Sequence, residues 1–208
     1  MATSSSPLPM LHPLLAEAAR GILPHWAEVR PGRVEHMARV SVLLAGWARG
    51  RGETSQEVDR WTAAGNLHDA LRDAPHDLLR EAVGPKFREL SGKVLHGPGV
   101  AQRLREEGVE DEELLQAISH HTLGSAEFGA LGMALYAADF LEPGRTQEYE
   151  WRRVLRERMP MELESVVKEV LSARIRYQVE RGRPLHPETV AFWNRLSEGQ
   201  AWAGASEL

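Results

Sequence analysis

Apolar residues recur every three or four positions along most of this chain. Val34, Met37, Val40 and Leu44 fall at helical steps with the small Ser41 among them, and "MELESVVKEVLSARIRYQVE" keeps the same spacing. The segment "DEELLQAISHH" opens with acids that suit a helix N-terminus. No stretch alternates apolar and polar for long enough to make a strand. The pattern predicts an all-α fold with helices near 9–20, 33–49, 55–72, 76–90, 98–107, 111–122, 127–142, 161–180 and 187–198. Short Pro/Gly-bearing pieces, "RPGR", "GRGET", "VGPK", "LEPGR" and "ERGRPLHP", suit helix connections better than interdomain linkers. The expected organisation is a lead-in and first helix over 1–20, one helical bundle over 21–200 and a short tail over 201–208.

Composition narrows the chemistry. A chain of 208 residues, 42% hydrophobic and 26% charged, is the profile of one ordinary globular domain with a sizeable core. A formal net charge of -5 argues against an electrostatic grip on nucleic acid or an anionic membrane. With no cysteine there is no disulfide, thiolate nucleophile or Cys-type zinc site, so any metal must be held by nitrogen and oxygen. This is compatible with the cytoplasm. The opening "MATSSSPLPM" has neither a basic start nor an apolar run, and is expected to be a disordered lead-in, not a signal peptide. No apolar run reaches the roughly 18 residues of a membrane span.

The histidines can then be assigned to helix faces. His36 shares a stripe with Val40, Leu43 and Trp47, so it points inward. His68 lines up with Trp61, Ala64 and Leu71, and His121 follows Leu114, Ala117 and Ile118. In the pair "HH", His120 continues the polar face of Glu113 and Gln116, which leaves His121 as the inward member. Asp139 stands four residues after Leu135 in an otherwise apolar helix and needs a partner, because a buried unpaired carboxylate is costly. A single inward histidine reads most simply as a satisfied core residue. Here three such histidines, the His68-Asp69 pair, Asp139, and His96 before a Pro-started helix come together across five helices. Several buried imidazoles would leave many polar atoms to satisfy, whereas two metal ions satisfy all of them at once.

The set His36, His68-Asp69, His96, His121 and Asp139 resembles the HD-domain metal phosphohydrolases, in the subgroup with two further histidines between the HD pair and the last Asp. More narrowly, "RVEHMARV", "NLHDALRD", "LHGPGVAQRL", "AISHHTLG", "ALYAADFLEPGR" and "LHPETVAFWNRL" resemble the YqeK-type family of symmetrical diadenosine tetraphosphate hydrolases, over about Gly32 to Leu196. Arg72 stands where that family often has lysine.

The resemblance implies two divalent metal ions, iron in the family, while imidazole and carboxylate ligands equally suit manganese or zinc. Asp69 is assigned one oxygen to each ion, with His36, His68 and Asp139 completing one and His96 and His121 the other. A hydroxide bridging the ions would attack phosphorus, cutting diadenosine tetraphosphate into two ADP without a Ser or Cys nucleophile. Asp69, Arg72 and Arg145 are the expected catalytic residues, and Arg33, Arg72 and Arg145 the expected holders of the phosphate chain. Glu142 is expected to hold Arg145. His186 is expected to cap or pack the last helix, and Tyr149 and Trp151 are candidates for stacking on adenine. The partner is then a dinucleoside polyphosphate, with no nucleic acid or membrane and with a homodimer left open. Alternatives are another HD-type hydrolase, acting on dNTPs or nucleoside monophosphates, a di-iron oxygenase on the same helices, and a non-catalytic nucleotide sensor.

Overall fold

The structure, a computed structural model, describes residues 11–198. The expected lead-in, residues 1–10, and the expected tail, residues 201–208, lie outside the described residues. Within the described residues ten α-helices run in the order α1 Pro13–Ala19, α2 Pro31–Gly50, α3 Ser55–Leu67, α4 His76–Ala82, α5 His96–Glu106, α6 Glu112–His120, α7 Ala130–Leu141, α8 Tyr149–Arg158, α9 Leu163–Val179 and α10 Pro187–Ser197. Among the described residues there is no strand, so the expected all-α fold holds. One core runs through the bundle, with Leu44, Trp61, Leu67, Leu95, Leu114 and Phe192 among its buried members.

Two of the predicted elements differ from those observed and one observed helix has no predicted counterpart, each for a physical reason. The helix expected over 55–72 stops at Leu67. Beyond it, Ala70 N–H bonds Leu67 O and Arg72 N–H bonds Asp69 O, tight i+3 turns, while Glu28 takes the Ala70 carbonyl and the Asp73 N–H into a pairing with the preceding loop. The helix expected over 76–90 ends at Ala82, because Gly84-Pro85 pushes the chain out of helical backbone; only a short 3-10 turn, Pro85–Phe87, follows. Helix α8 was not expected at all. Its few apolar positions give a weak stripe, and it is anchored instead by Arg152, a buried guanidinium 3.9 Å from the Phe140 ring centre that also donates to Gln147 O.

Helices α2 and α3 pack side by side at the centre of the bundle, and the closeness of that crossing rests on Gly65. A Cβ at Gly65 would lie 2.5 Å from Ser41 Cα and 2.8 Å from Ser41 N, both main-chain atoms that cannot swing away. Gly65→Ala is therefore expected to destabilise the fold by about 1–3 kcal/mol, the usual cost of overpacking. A fall in the urea midpoint at unchanged slope would show it, and a wild-type midpoint would refute it. Helix α6 is set from its other end. The Asp111 side chain caps it by accepting from Leu114 N at 3.0 Å, and Arg60 of α3 grips the same carboxylate through Nε and Nη2 at 2.5 and 2.7 Å. These contacts fix the height at which the far end of α6 delivers His121.

Candidate metal centre

The six sequence-predicted acid and imidazole residues meet in one place, mostly at helix ends. His36 lies in the second turn of α2, His68 is the C-cap of α3 with Asp69 directly after it, and His96 opens α5. His121 is the C-cap of α6, and Asp139 sits in the last turn of α7. All are buried except Asp139, whose side chain keeps 16% exposure.

Helix ends solve the orientation problem for three of the four rings. Nδ1 of His68 lies 2.8 Å from Gly65 O, Nδ1 of His96 is 3.0 Å from Lys93 O, and Nδ1 of His121 is 2.7 Å from Ile118 O. In each case the acceptor is the main-chain carbonyl three residues back. A carbonyl can only accept, so the Nδ1 atoms carry the protons and the Nε2 lone pairs turn toward the cluster. His36 lacks such a carbonyl; its Nδ1 faces Glu142 Oε1 at 3.4 Å.

Asp69 divides its carboxylate between two groups. Its Oδ2 is 3.8 Å from His36 Nε2 and 3.6 Å from His68 Nε2, while Oδ1 is 2.9 Å from His96 Nε2 and 3.5 Å from His121 Nε2. Asp139 Oδ1 joins the first group, 3.3 Å from His36 Nε2. Two sets, His36/His68/Asp69 and Asp69/His96/His121, thus share Asp69, each with ligand atoms close enough to hold a metal ion.

Two observations indicate that this donor set fits a cation. The Nε2 atoms of His36 and His68 are buried with no hydrogen-bond partner, a cost that coordination would remove. The Nε2 atoms of His96 and His121 lie only 3.1 Å apart although both Nδ1 atoms already donate elsewhere, which sets two lone pairs face to face. A positive ion between such atoms turns a repulsion into a bond. The electrostatics agree. Burial pushes His68 down to about 4, so its ring stays neutral and able to ligate across the neutral range. Burial pushes the Asp69 carboxyl up, but its contacts with the surrounding histidines outweigh that and hold it well below the usual carboxylate range.

A cavity of about 690 Å³ opens over the cluster, lined on its rim by Arg30, Arg33, Arg39, Arg72, Lys93 and Arg145. Arg33 Nη1 donates to Asp69 Oδ2 at 2.8 Å, and Arg145 donates to both the carboxylate and the carbonyl of Asp139 at 2.9 Å. All three cations expected to hold phosphate therefore reach the cavity.

The placements of Glu142, Tyr149 and Trp151 differ from expectation, while those of His186 and His120 agree with it. Glu142 does not serve mainly Arg145, whose Nε is 4.0 Å away; it accepts from Arg39 Nε at 2.6 Å and from Gly144 N at 2.7 Å. Its spacing, one helical step after Asp139, was the available signal. Arg174 of α9 carried no signal: it donates to Thr122 O at 2.7 Å, places Nη1 3.9 Å from Asp139 Oδ2 and stacks over Tyr136. Trp151 packs edge-on against Phe140, Arg156 lies over Tyr149, and neither aromatic lines the cavity. His186 occupies the N-cap position of α10 and pairs with Glu188. His120 turns away from the cluster toward Lys86 and Phe87.

Comparison with known proteins follows the same lines. The family model described as HD domain matches residues 33–177. A protein of Halalkalibacterium halodurans named "Bis(5'-nucleosyl)-tetraphosphatase, symmetrical" is 26% identical over 186 residues, 86% of this chain and 95% of its own. A Bacillus subtilis protein of the same name is 25% identical over 64% of this chain and 74% of its own. A crystal structure from Clostridium acetobutylicum, described as a "predicted HD superfamily hydrolase involved in NAD metabolism", superposes with a TM-score of 0.72 at 23% identity, covering 90% of this chain and 98% of the other, and supports the fold. Among the described residues no helix is long and apolar enough to cross a membrane.

Proposed function

This chain belongs to the HD-domain family, and from that premise we propose that it hydrolyses diadenosine tetraphosphate symmetrically, giving two ADP. The observation that carries the reading is the division of Asp69, one oxygen toward His36 and His68 and the other toward His96 and His121, at the floor of a cavity rimmed by guanidinium groups. Relatives named for symmetrical cleavage, one of them matched over nearly its whole length, support the substrate.

In this reading Asp69 would bridge two divalent ions, His36, His68 and Asp139 completing one and His96 and His121 the other. Iron is the metal suggested by resemblance. When bound, the ions would neutralise phosphate charge and activate a water at neutral pH. The protein's own part is to aim four imidazoles by their Nδ1 partners and to grip the phosphate chain. Arg33 and Arg145 spend only part of their five N–H donors on Asp69 and Asp139, and with Arg72 they have donors left for phosphate oxygens that gain charge in the transition state.

The products test the register of attack. Cleavage at the inner anhydride gives ADP as the sole nucleotide product, and chromatography of the first turnovers is expected to show it. Equimolar AMP and ATP would overturn symmetrical cleavage. Cleavage of dNTPs or nucleoside monophosphates with the dinucleotide left intact would move the chain to another HD-type hydrolase.

A further inference from the structure

Four imidazoles point their Nε2 atoms at one cluster, but only three are held by the main chain. His68, His96 and His121 donate from Nδ1 to a carbonyl three residues back. His36 sits inside α2, where the backbone carbonyls are engaged in the helix's own hydrogen bonds. Its orientation has to come from a side chain on another element. The carboxylate of Glu142 faces it, Oε1 3.4 Å from Nδ1, with Glu142 only 3% exposed at the end of α7.

We infer that Glu142, braced by Arg39, is the positioning residue for His36 and sets the metal affinity of the His36/His68 half of the centre. The inference rests on reading the cluster as a metal centre. A carboxylate can only accept, so it holds the proton on Nδ1 and leaves the Nε2 lone pair toward Asp69 and Asp139. The other oxygen, Oε2, is tied by Arg39 Nε at 2.6 Å and Gly144 N at 2.7 Å, which fixes the carboxylate without using the lone pairs that face His36. The brace itself depends on Gly144: a Cβ there would meet Arg39 Nη2 at 2.6 Å, so a larger residue would push the guanidinium off Glu142. Glu142 thus does for one ring what helix-end carbonyls do for the other three.

The test uses the full chain stripped of metal and titrated with Mn²⁺, bound ions being counted by electron paramagnetic resonance. Glu142→Gln keeps the size of the side chain but loses its charge and half its acceptors. It is expected to weaken one of the two ions by about 10–100-fold and leave the other at wild-type affinity. The rate at saturating dinucleotide should fall while KM changes little. Because the effect runs through His36, Glu142→Gln should add nothing to the metal affinity of His36→Ala, a non-additivity that general loosening of the fold would not produce. Two ions bound by Glu142→Gln as in wild type, or an undiminished effect in the His36→Ala background, would overturn the inference. Should Glu142→Gln not fold, Arg39→Gln is expected to weaken the same ion by a smaller factor, and unchanged binding there would overturn it equally. A wild-type chain that binds no second ion would instead sink the two-metal reading itself, and would be seen before any variant is compared.

Discussion

Asp69→Ala is expected to release both ions at once and to lower turnover by ~10³-fold or more, the scale at which a central catalytic group is lost. No other residue of the cluster should do this. Asp69 is the single member shared by both ligand sets, with Oδ2 serving one and Oδ1 the other. It is also the anion packed among the imidazoles, and it takes a charged hydrogen bond from Arg33. Its removal leaves a cation without its partner, so some loss of stability is expected too. Metal analysis and circular dichroism on the same sample separate the two effects: an intact helical spectrum with no bound metal is the expected pair. A folded Asp69→Ala protein that retains either ion at wild-type affinity would refute the shared role.

The second large effect comes from two adjacent histidines that should behave oppositely. His121→Ala is expected to cost at least about 100-fold in turnover and to remove only the ion assigned to His96 and His121. His120→Ala should stay within about 2-fold of wild type, as for a side chain away from the reacting groups. The contrast rests on geometry, since His121 Nε2 is 3.5 Å from Asp69 Oδ1 whereas His120 Nε2 lies 3.5 Å from Lys86 Nζ on the other side of the helix. The close contact behind α6 makes the site intolerant as well. Gly97 lets α5 approach so near that a Cβ would meet Ile118 O at 2.7 Å and His121 Nδ1 at 3.1 Å. A dead His120→Ala enzyme beside an active His121→Ala enzyme would reverse the assignment.

Much of this is legible in the sequence alone. An α-helix repeats every 3.6 residues, so the inward direction of His36, His68 and His121 follows from the apolar residues three, four and seven positions away. The same count separates His121 from His120. Helix α8 was not legible, because it is mostly charged, and one of its inward positions is taken by Arg152, a guanidinium buried against Phe140, where periodicity looks for an apolar residue. The end of α3 was missed because it depends on Glu28, some forty residues away in sequence from the pairing it disrupts, taking Ala70 O and Asp73 N–H out of the helix.

By itself, then, the sequence determined most of the helices, which of the site's side chains face inward and which donor types are available, because all three depend on neighbours within one or two turns. Only the tertiary structure decided how those side chains meet. That Asp69 splits its oxygens between two imidazole pairs, that Glu142 turns to His36 and Arg39 instead of Arg145, and that Arg174 reaches back to Asp139 are consequences of helix crossings set by close approaches such as Gly65 on Ser41. Such crossings join residues distant in sequence, and the hydrophobic period of a single helix holds no information about the angle or height at which another helix meets it.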